Sequence, residues 1–570
     1  MDYIKNYERW LGEATLPADL RCELEGMSDD QKKFAFSGYM SFGTAGLRAE
    51  MGAGTAMMNT CTVAHATEGI ARLIEKVGGD AKPRGVAIAY DSRNNSKEFA
   101  DRCAEVLTAH DIKVYLFSSL RPTPVLSFAI LHLNCIAGLN VTASHNPAEY
   151  NGYKAYWEDG AQLPPDHAAT VSDEMSKIDI FNDVPASADA KSELITICDD
   201  LVDGAYMENV LAQRVNPDSI PAAAAELAVV YTPLHGAGAV MVPEVLRRAG
   251  ITRLFTVDEQ MAPNGDFPTV KYPNPEFAEA YTIGESIAER EGSDLIVATD
   301  PDADRVGAAV RGKDGKFFRI TGNQMGALIL DYVITALQET TGVPEDAYAV
   351  KSIVSSELAA RICEANGVEM YNVLTGFKFI GEVIKKHEAE GRGTFLLGFE
   401  ESYGYLKGTY ARDKDAVVAS LLICEMAAFY KLKGMTLGDA LEGLFEKYGY
   451  FRENVFSIEM KGLGADEKMQ ALMVGLRNDP PAEIAGRKIT EIRDYKDSSI
   501  KNILTGEVTG TGLPSSNVLY YVTADRDVVV VRPSGTEPKV KVYIMTAGKT
   551  AADAEKNAAE FTDAMKALLA

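Results

Sequence analysis

The chain has 570 residues, and at roughly 100–200 residues per domain that is enough for about three to five domains. Its 46% hydrophobic and 24% charged residues are those of an ordinary globular protein, which excludes a disordered or fibrous chain. The net charge of -25 argues against nucleic-acid binding through a broad basic face, and any anionic substrate must meet positive charge gathered locally in a cleft.

Seven cysteines are scattered singly with no Cys-x-x-Cys pair, so neither a structural zinc nor a disulfide framework is expected. Reduced thiols in a cytoplasmic protein are the plain reading. The first residues lack the apolar stretch of a signal peptide, and no apolar run is long enough for a membrane span.

In chain order, one pattern recurs: a short apolar run, a polar loop, then a helical stretch. Residues 86–90 lead into Asp91-Ser92-Arg93, and 136–141 into Thr142-Ala143-Ser144-His145-Asn146-Pro147. Residues 227–231 lead into Thr232-Pro233-Leu234-His235-Gly236, 295–299 into Asp300-Pro301-Asp302, and 395–397 into Gly398-Phe399-Glu400-Glu401. Such alternation predicts βαβ units around mixed or mostly parallel sheets, with ligand groups on the loops past the strand ends. The last hundred or so residues differ. Two strands, 527–532 and 539–545, flank a tight loop, and a helix follows with Ala554, Ala558, Phe561, Met565 and Leu568 on one face. This reads as a smaller α+β domain, to which the polar stretch 465–487 also belongs.

Ser144 follows a buried-looking strand, and Pro147 bars an immediate helix, so its hydroxyl is expected to stand exposed on a turn. Taken alone, the segment reads better as an ordinary Ser/Asn/Pro turn without chemistry. Asp300, Asp302 and Asp304 alternate on a tight loop and can converge on one hard cation, Mg²⁺ or Ca²⁺. Arg305 stands where an EF-hand needs glycine. Against a solvated acidic loop stands the mutual repulsion of three carboxylates directly after an apolar strand. The loop from Arg532 to Lys539 offers a guanidinium fork, the hydroxyls of Ser534 and Thr536, and Gly535 for close approach of an anion to backbone amides. It reads as a phosphate cradle or as a plain hairpin loop. Glu400, Glu401 and Ser402 suit sugar hydroxyls but are weak evidence alone. His235-Gly236-Ala237-Gly238 lacks the third glycine of a dinucleotide fingerprint and reads as a strand-to-helix turn.

Thr-Ala-Ser-His-Asn-Pro, Asp-Pro-Asp-Ala-Asp-Arg, Glu-Glu-Ser and Arg-Pro-Ser-Gly-Thr-Glu-Pro occur in that order. With them the chain resembles the α-D-phosphohexomutases over essentially its whole length. Phe42-Gly43-Thr44-Ala45-Gly46-Leu47-Arg48 and Asn151-Gly152-Tyr153-Lys154 match two further family segments. The resemblance implies three related mixed-sheet α/β domains plus a smaller C-terminal α+β domain around a central cleft. Their expected limits are 1–210 with the phosphoserine loop, 211–322 with the metal loop, 323–450 with the sugar-recognition loop and 451–570 with the phosphate-binding loop.

It further implies that Ser144 is phosphorylated, and that Asp300, Asp302 and Asp304 hold Mg²⁺ together with an oxygen on Ser144. Arg48, His145, Lys154 and Lys414 are the other implied catalytic residues, Lys414 as a proton acceptor. Arg305, Thr375, Gly376, Glu400, Ser402, Arg532, Ser534, Gly535 and Thr536 are the implied substrate-binding residues. The implied reaction interconverts glucose 1-phosphate and glucose 6-phosphate through glucose 1,6-bisphosphate, which serves as intermediate and activator. Mannose and pentose phosphates are alternative substrates, and an idle sugar-phosphate-binding protein is the reading from another class. Gly404 stands where the mannose and glucosamine branches often carry histidine, which leans towards glucose. Partners are small sugar phosphates, with no nucleic acid and no membrane, in a monomer or homodimer.

Overall fold

A computed structural model of the chain describes residues 3–43, 46–460, 464–534 and 539–569. Three of its sheets follow one walk. In the first, Val86–Tyr90 lies between Val114–Leu116 and Ala137–Val141, all parallel, and Tyr150–Trp157 runs antiparallel beside Ala137–Val141. In the second, Ala228–Thr232 lies between Arg253–Thr256 and Leu295–Thr299, and Val306–Arg311 returns antiparallel. In the third, Ala347–Ser352 lies between Glu369–Val373 and Thr394–Glu400, and Gly404–Leu406 returns antiparallel. The central strands are buried along their whole length, as expected of parallel strands covered by helices on both faces. The first sheet gains edge strands Gly46–Glu50 and Ile195–Ile197, and the second gains Phe317–Ile320.

The fourth sheet is antiparallel. Tyr450–Glu459 pairs with Lys539–Gly548, which pairs with Val528–Pro533, then Leu519–Thr523, Arg487–Asp494, Ser499–Asn502 and Val508–Gly510. Helices Ala465–Asn478 and Ala551–Leu568 share an apolar cluster with one of its faces. Ala554, Ala558, Phe561 and Met565 are buried as expected. Leu568 is not: it is 46% exposed, and Leu569, four residues past Met565 and still hydrogen-bonded to the Met565 carbonyl, takes the buried place.

The expected helix after each polar loop also needs correction. After Ala137–Val141, Leu295–Thr299 and Thr394–Glu400 the chain returns as a strand. An antiparallel return needs only a short loop, whereas a parallel crossover needs a dozen or more residues. The returning segment Tyr150–Trp157 is rich in aromatics, which favour strands over helices. The strand that begins at Thr394 also runs through Glu400, so Glu400 is its last residue rather than a loop residue.

Helix Ala416–Leu432, apolar all round and buried over most of its length, packs on strands of the second and third sheets and on helix Asp199–Leu211 beside the first. Its N-terminus packs on the second sheet's loop, where the Ala416 N–H donates to the Ala303 carbonyl at 3.2 Å. No helix among the described residues is long and apolar enough to cross a membrane.

Gly152 shows how tightly the first hairpin is built. The Thr142 N–H donates to its carbonyl at 3.0 Å, and a Cβ at Gly152 would lie 2.4 Å from the Thr142 carbonyl oxygen. Gly152→Ala is expected to destabilise the first unit by about 1–3 kcal/mol, the usual cost of overpacking. Thermal melts and hydrogen exchange of the Tyr150–Trp157 amides check it; unchanged protection there contradicts the expectation.

Candidate functional site

Ser144 sits at φ 53, in the left-handed region, on the turn past Ala137–Val141. Its N–H donates to Thr142 Oγ1 at 2.8 Å, and the Thr142 hydroxyl donates to Asp91 Oδ2 at 2.6 Å. Contrary to expectation, Ser144 is only 2% exposed. The loop from the second sheet covers it: Ser144 Oγ donates to Asp300 Oδ2 at 2.8 Å and lies 3.2 Å from His145 Nδ1. Burial, with the charges of Arg305 and Arg48, holds the His145 imidazole well below its ordinary pKa, so it is neutral near pH 7.

Arg93 was noted in sequence only as part of a loop, and the structure gives it a larger place. Its guanidinium is buried and donates to the carbonyls of Ser144, Asn146, Pro147 and Tyr150. Its Nε lies 3.3 Å from Asp91 Oδ2. One side chain thus gathers four carbonyls of the serine loop. Thr123, also unforeseen, donates to Asp302 Oδ2 at 2.9 Å and accepts from Asn140 Nδ2 at 2.7 Å.

Asp300, Asp302 and Asp304 are buried, and each offers an oxygen within 4.8 Å of the others. Among the described residues this is the single cluster of its kind. Burial and then the neighbouring Asp302 and Asp304 charges push Asp300 well above the ordinary carboxylate range. Burial also acts to raise Asp302, but Lys154 and the hydrogen bonds it receives outweigh this and hold it well below that range. Asp302 Oδ1 and Asp304 Oδ1 are buried with no hydrogen-bond partner. Crowded carboxylates with unsatisfied buried oxygens fit a hard divalent cation, which would satisfy these atoms and offset the repulsion.

Cations ring the cluster. Lys154 Nζ lies 2.7 Å from Asp302 Oδ2 and 3.5 Å from Asp304 Oδ2. Lys414 Nζ lies 3.3 Å from Asp304 Oδ2 and 2.9 Å from Asp413 Oδ1. Burial acts to lower the pKa of both lysines, and the facing aspartates reverse this and raise it, so both stay charged. Arg305 Nε lies 3.7 Å from Asp304 Oδ1, and the Arg305 N–H donates to Asp300 Oδ1 at 3.0 Å. Arg48 donates to Asn146 Oδ1 at 3.3 Å on the open side. The local cations demanded by the acidic composition are Arg48, Lys154, Arg305 and Lys414, the last three set against the aspartates.

The remaining expected residues form a second group. The Gly376 N–H donates to Glu400 Oε1 at 2.8 Å; Gly376 has φ 122, which a side chain disfavours. Thr375 and Ser402 are half-buried on the two adjoining turns. Glu400 contributes to the raised pKa of Lys414, so the two groups are electrostatically one site. Arg532 and Ser534 lie at the end of Val528–Pro533, and the Ser534 N–H donates to the Lys539 carbonyl at 2.8 Å. The Arg532 charge acts on Glu401, linking the fourth sheet to the turn after Glu400. Gly535 and Thr536, and Thr44 and Ala45 of the N-terminal motif, lie outside the described residues.

Four family models match in order: the phosphoglucomutase/phosphomannomutase alpha/beta/alpha domains I at 39–180, II at 204–314 and III at 321–448, and the C-terminal domain at 485–564. A phosphoglucomutase of Staphylococcus aureus is 37% identical over 526 residues, covering 91% of this chain and 92% of the relative. The fold is shared with parafusin (phosphoglucomutase) from Paramecium, at TM-score 0.68 and 18% identity over 92% of this chain and 95% of that one. It is also shared with a phosphoglucomutase/phosphomannomutase family protein from Burkholderia thailandensis, at TM-score 0.65 and 19% identity over 92% and 97%.

Glu401 makes the site sensitive to pH. It accepts from Ser352 Oγ at 3.2 Å, and burial together with the Glu400 charge pushes its carboxyl up to about 7. A group that binds its proton more tightly in the folded chain adds stability below its unfolded pKa, and that contribution is lost as pH rises through its folded pKa, here about 7. Glu401→Gln is therefore expected to raise the melting temperature at pH 8 by clearly more than at pH 5. Paired thermal melts decide it, and an equal shift at both pH values contradicts it.

Proposed function

The chain belongs to the phosphoglucomutase/phosphomannomutase family, and from that premise we propose that it interconverts glucose 1-phosphate and glucose 6-phosphate through a phosphoserine at Ser144. The observation that carries this reading is the 2.8 Å hydrogen bond from Ser144 Oγ to Asp300, inside a buried aspartate triad ringed by cations. Such a site suits phosphoryl transfer, which depends mainly on positioning and charge neutralisation.

In the proposed cycle the Ser144 Oγ–P bond breaks as the O6–P bond to glucose 1-phosphate forms. The bisphosphate then turns, and its O1 phosphoryl returns to Ser144. Lys154, Arg305 and Arg48 would surround the phosphoryl oxygens and take up their charge. Lys414, held as an ammonium at rest by its aspartates, would relay one proton per transfer: it gives its proton to the departing oxygen, Ser144 Oγ in the first transfer, and takes that of the attacking hydroxyl, so it ends charged as it began. His145, neutral and within hydrogen-bond distance of Ser144 Oγ, would orient that oxygen. Asp300, Asp302 and Asp304 would hold Mg²⁺, which when bound supplies charge neutralisation at the phosphoryl group. Glu400 and Ser402 would bind sugar hydroxyls, with Thr375 and Gly376 beside them. Arg532, Ser534, Gly535 and Thr536 would hold the phosphate that is not reacting. We place the limits of the four domains near residues 210, 322 and 450.

A coupled assay for glucose 6-phosphate tests the reaction, with mannose 1-phosphate run alongside to decide the sugar. The expected result is turnover on glucose 1-phosphate that is lost in Ser144→Ala, with phosphate found on the Ser144 peptide of active wild type by mass spectrometry. A fully active preparation without that phosphate, even after incubation with glucose 1,6-bisphosphate, would overturn the covalent route. One cradle serving both orientations gives a second expectation. Arg532→Ala should weaken binding of both monophosphates by a similar factor, about ten- to a hundredfold for one lost charge-assisted contact. Steady-state kinetics in both directions check it, and a loss confined to one substrate contradicts a shared cradle.

A further inference from the structure

The second unit reaches the serine loop at two places, and the proposed chemistry uses only Asp300. The other is the loop around residues 264–267. Phe267 is 2% exposed and belongs to the apolar cluster of the second sheet, yet its backbone stands at φ 45. A bulky residue in the left-handed region is an outlier, and such strain persists only where the surroundings impose it. The ring lies under the Arg93 guanidinium, 5.1 Å from its carbon to the ring centroid, within cation–π range.

The loop is fastened to the first unit just before this contact. Asn94 Nδ2 donates to Asp266 Oδ1 at 2.8 Å. Gly265 packs so closely that a Cβ there would lie 2.3 Å from the Asn94 nitrogen. Ala148, from the serine loop itself, packs against the same cluster as Phe267. Arg93 in turn holds the carbonyls of Ser144, Asn146, Pro147 and Tyr150.

We propose that Phe267 is a positioning residue for Ser144, acting through Arg93: the ring of the second unit fixes the guanidinium that fixes the serine loop against Asp300. The chain of contact runs Phe267, Arg93, Ser144, Asp300, and it begins and ends in the second unit. It sets the register of the nucleophile of one unit against the carboxylates of the other without touching substrate. This assignment rests on the phosphoserine reading above, so its test needs a readout that does not.

Phe267→Leu keeps an apolar side chain and removes the ring. A cation–π contact of this kind is expected to matter by about 2- to 30-fold in kcat. KM for glucose 1-phosphate should stay within about twofold, because the proposed sugar and distal-phosphate contacts lie on the third and fourth sheets. Phe267→Tyr, which keeps the ring, should restore kcat. In an Arg93→Lys background Phe267→Leu should cost clearly less than in wild type, because the two act in series. Independently of activity, hydrogen exchange of the amides of residues 144–150 should speed up in Phe267→Leu while exchange in the third and fourth sheets stays unchanged. Unchanged exchange at 144–150, or fully additive kcat losses in the double variant, would overturn the assignment. A wild type without phosphate on Ser144 but with the predicted exchange change would instead refute the phosphoserine reading and leave the clamp standing.

Discussion

Three carboxylates packed within 4.8 Å of one another at the end of a buried strand are the constraint around which the site is organised. Left alone they would repel strongly in a poorly hydrated setting, and the high pKa of Asp300 is the visible trace of that stress. Lys154 relieves part of it from the first unit and Lys414 part of it from the third, each shared with Asp304. The carboxylates of the second unit therefore draw the other two mixed-sheet units together. Helix Ala416–Leu432, whose N-terminus packs on the same loop, supplies the apolar counterpart of that attraction. In a chain of net charge -25 this is also how a cleft comes to hold clustered cations. Buried aspartates pay for buried lysines, and a phosphate entering the cleft meets positive charge that the surface as a whole lacks.

The repeated walk of the mixed sheets explains why the chemistry falls where it does. In each, the strand beside the central one returns antiparallel; the first two connecting loops carry Ser144 and the aspartates, and in the third sheet Glu400 ends the strand itself. A hairpin return keeps each loop short and anchored at both ends by ladder hydrogen bonds, which favours precise placement of the side chains it carries. The loops of the first and second units meet directly, so Ser144 is buried although it lies on a turn.

Much of this was legible because the reacting groups lie in contiguous motifs. The alternation in Asp300-Pro301-Asp302-Ala303-Asp304 places three carboxylates on one loop whatever the rest of the chain does. Ser144 was identified for the same reason, but its burial was not legible, because the atom that covers it belongs to Asp300, 156 residues further on. Arg93 and Thr123 were invisible as site residues for a related reason. Arg93 acts on carbonyls more than 50 residues away, and Thr123 acts on an aspartate 179 residues away. The return strands were misread because apolar periodicity in short runs cannot separate a hairpin from a crossover. Leu568 shows a finer limit: Leu568 and Leu569 stand three and four residues past Met565, both allowed by helical spacing, and it is Leu569 that is buried.

The fourth unit is held by a different kind of contact. Ile353, Val354 and Leu374 of the third unit join Tyr520, Val530 and Tyr543 in one apolar cluster. Across it run part-buried polar ties, from Ser356 to Glu453 and from Tyr520 through Glu357 to Lys351. Apolar contact is non-directional, whereas a hydrogen bond to a carboxylate holds one geometry and contributes about 1.5–3 kcal/mol. The ties therefore fix one rest position while the surface beneath them tolerates small displacements. Arg532, proposed to hold the phosphate that is not reacting, belongs to this unit, and Glu400 to the third. A substrate that must present its two ends in turn needs both fixed reference points and some give between them. An apolar joint with a few polar ties meets both demands at once, while the charged clasp around Asp304 keeps the reacting half of the cleft rigid.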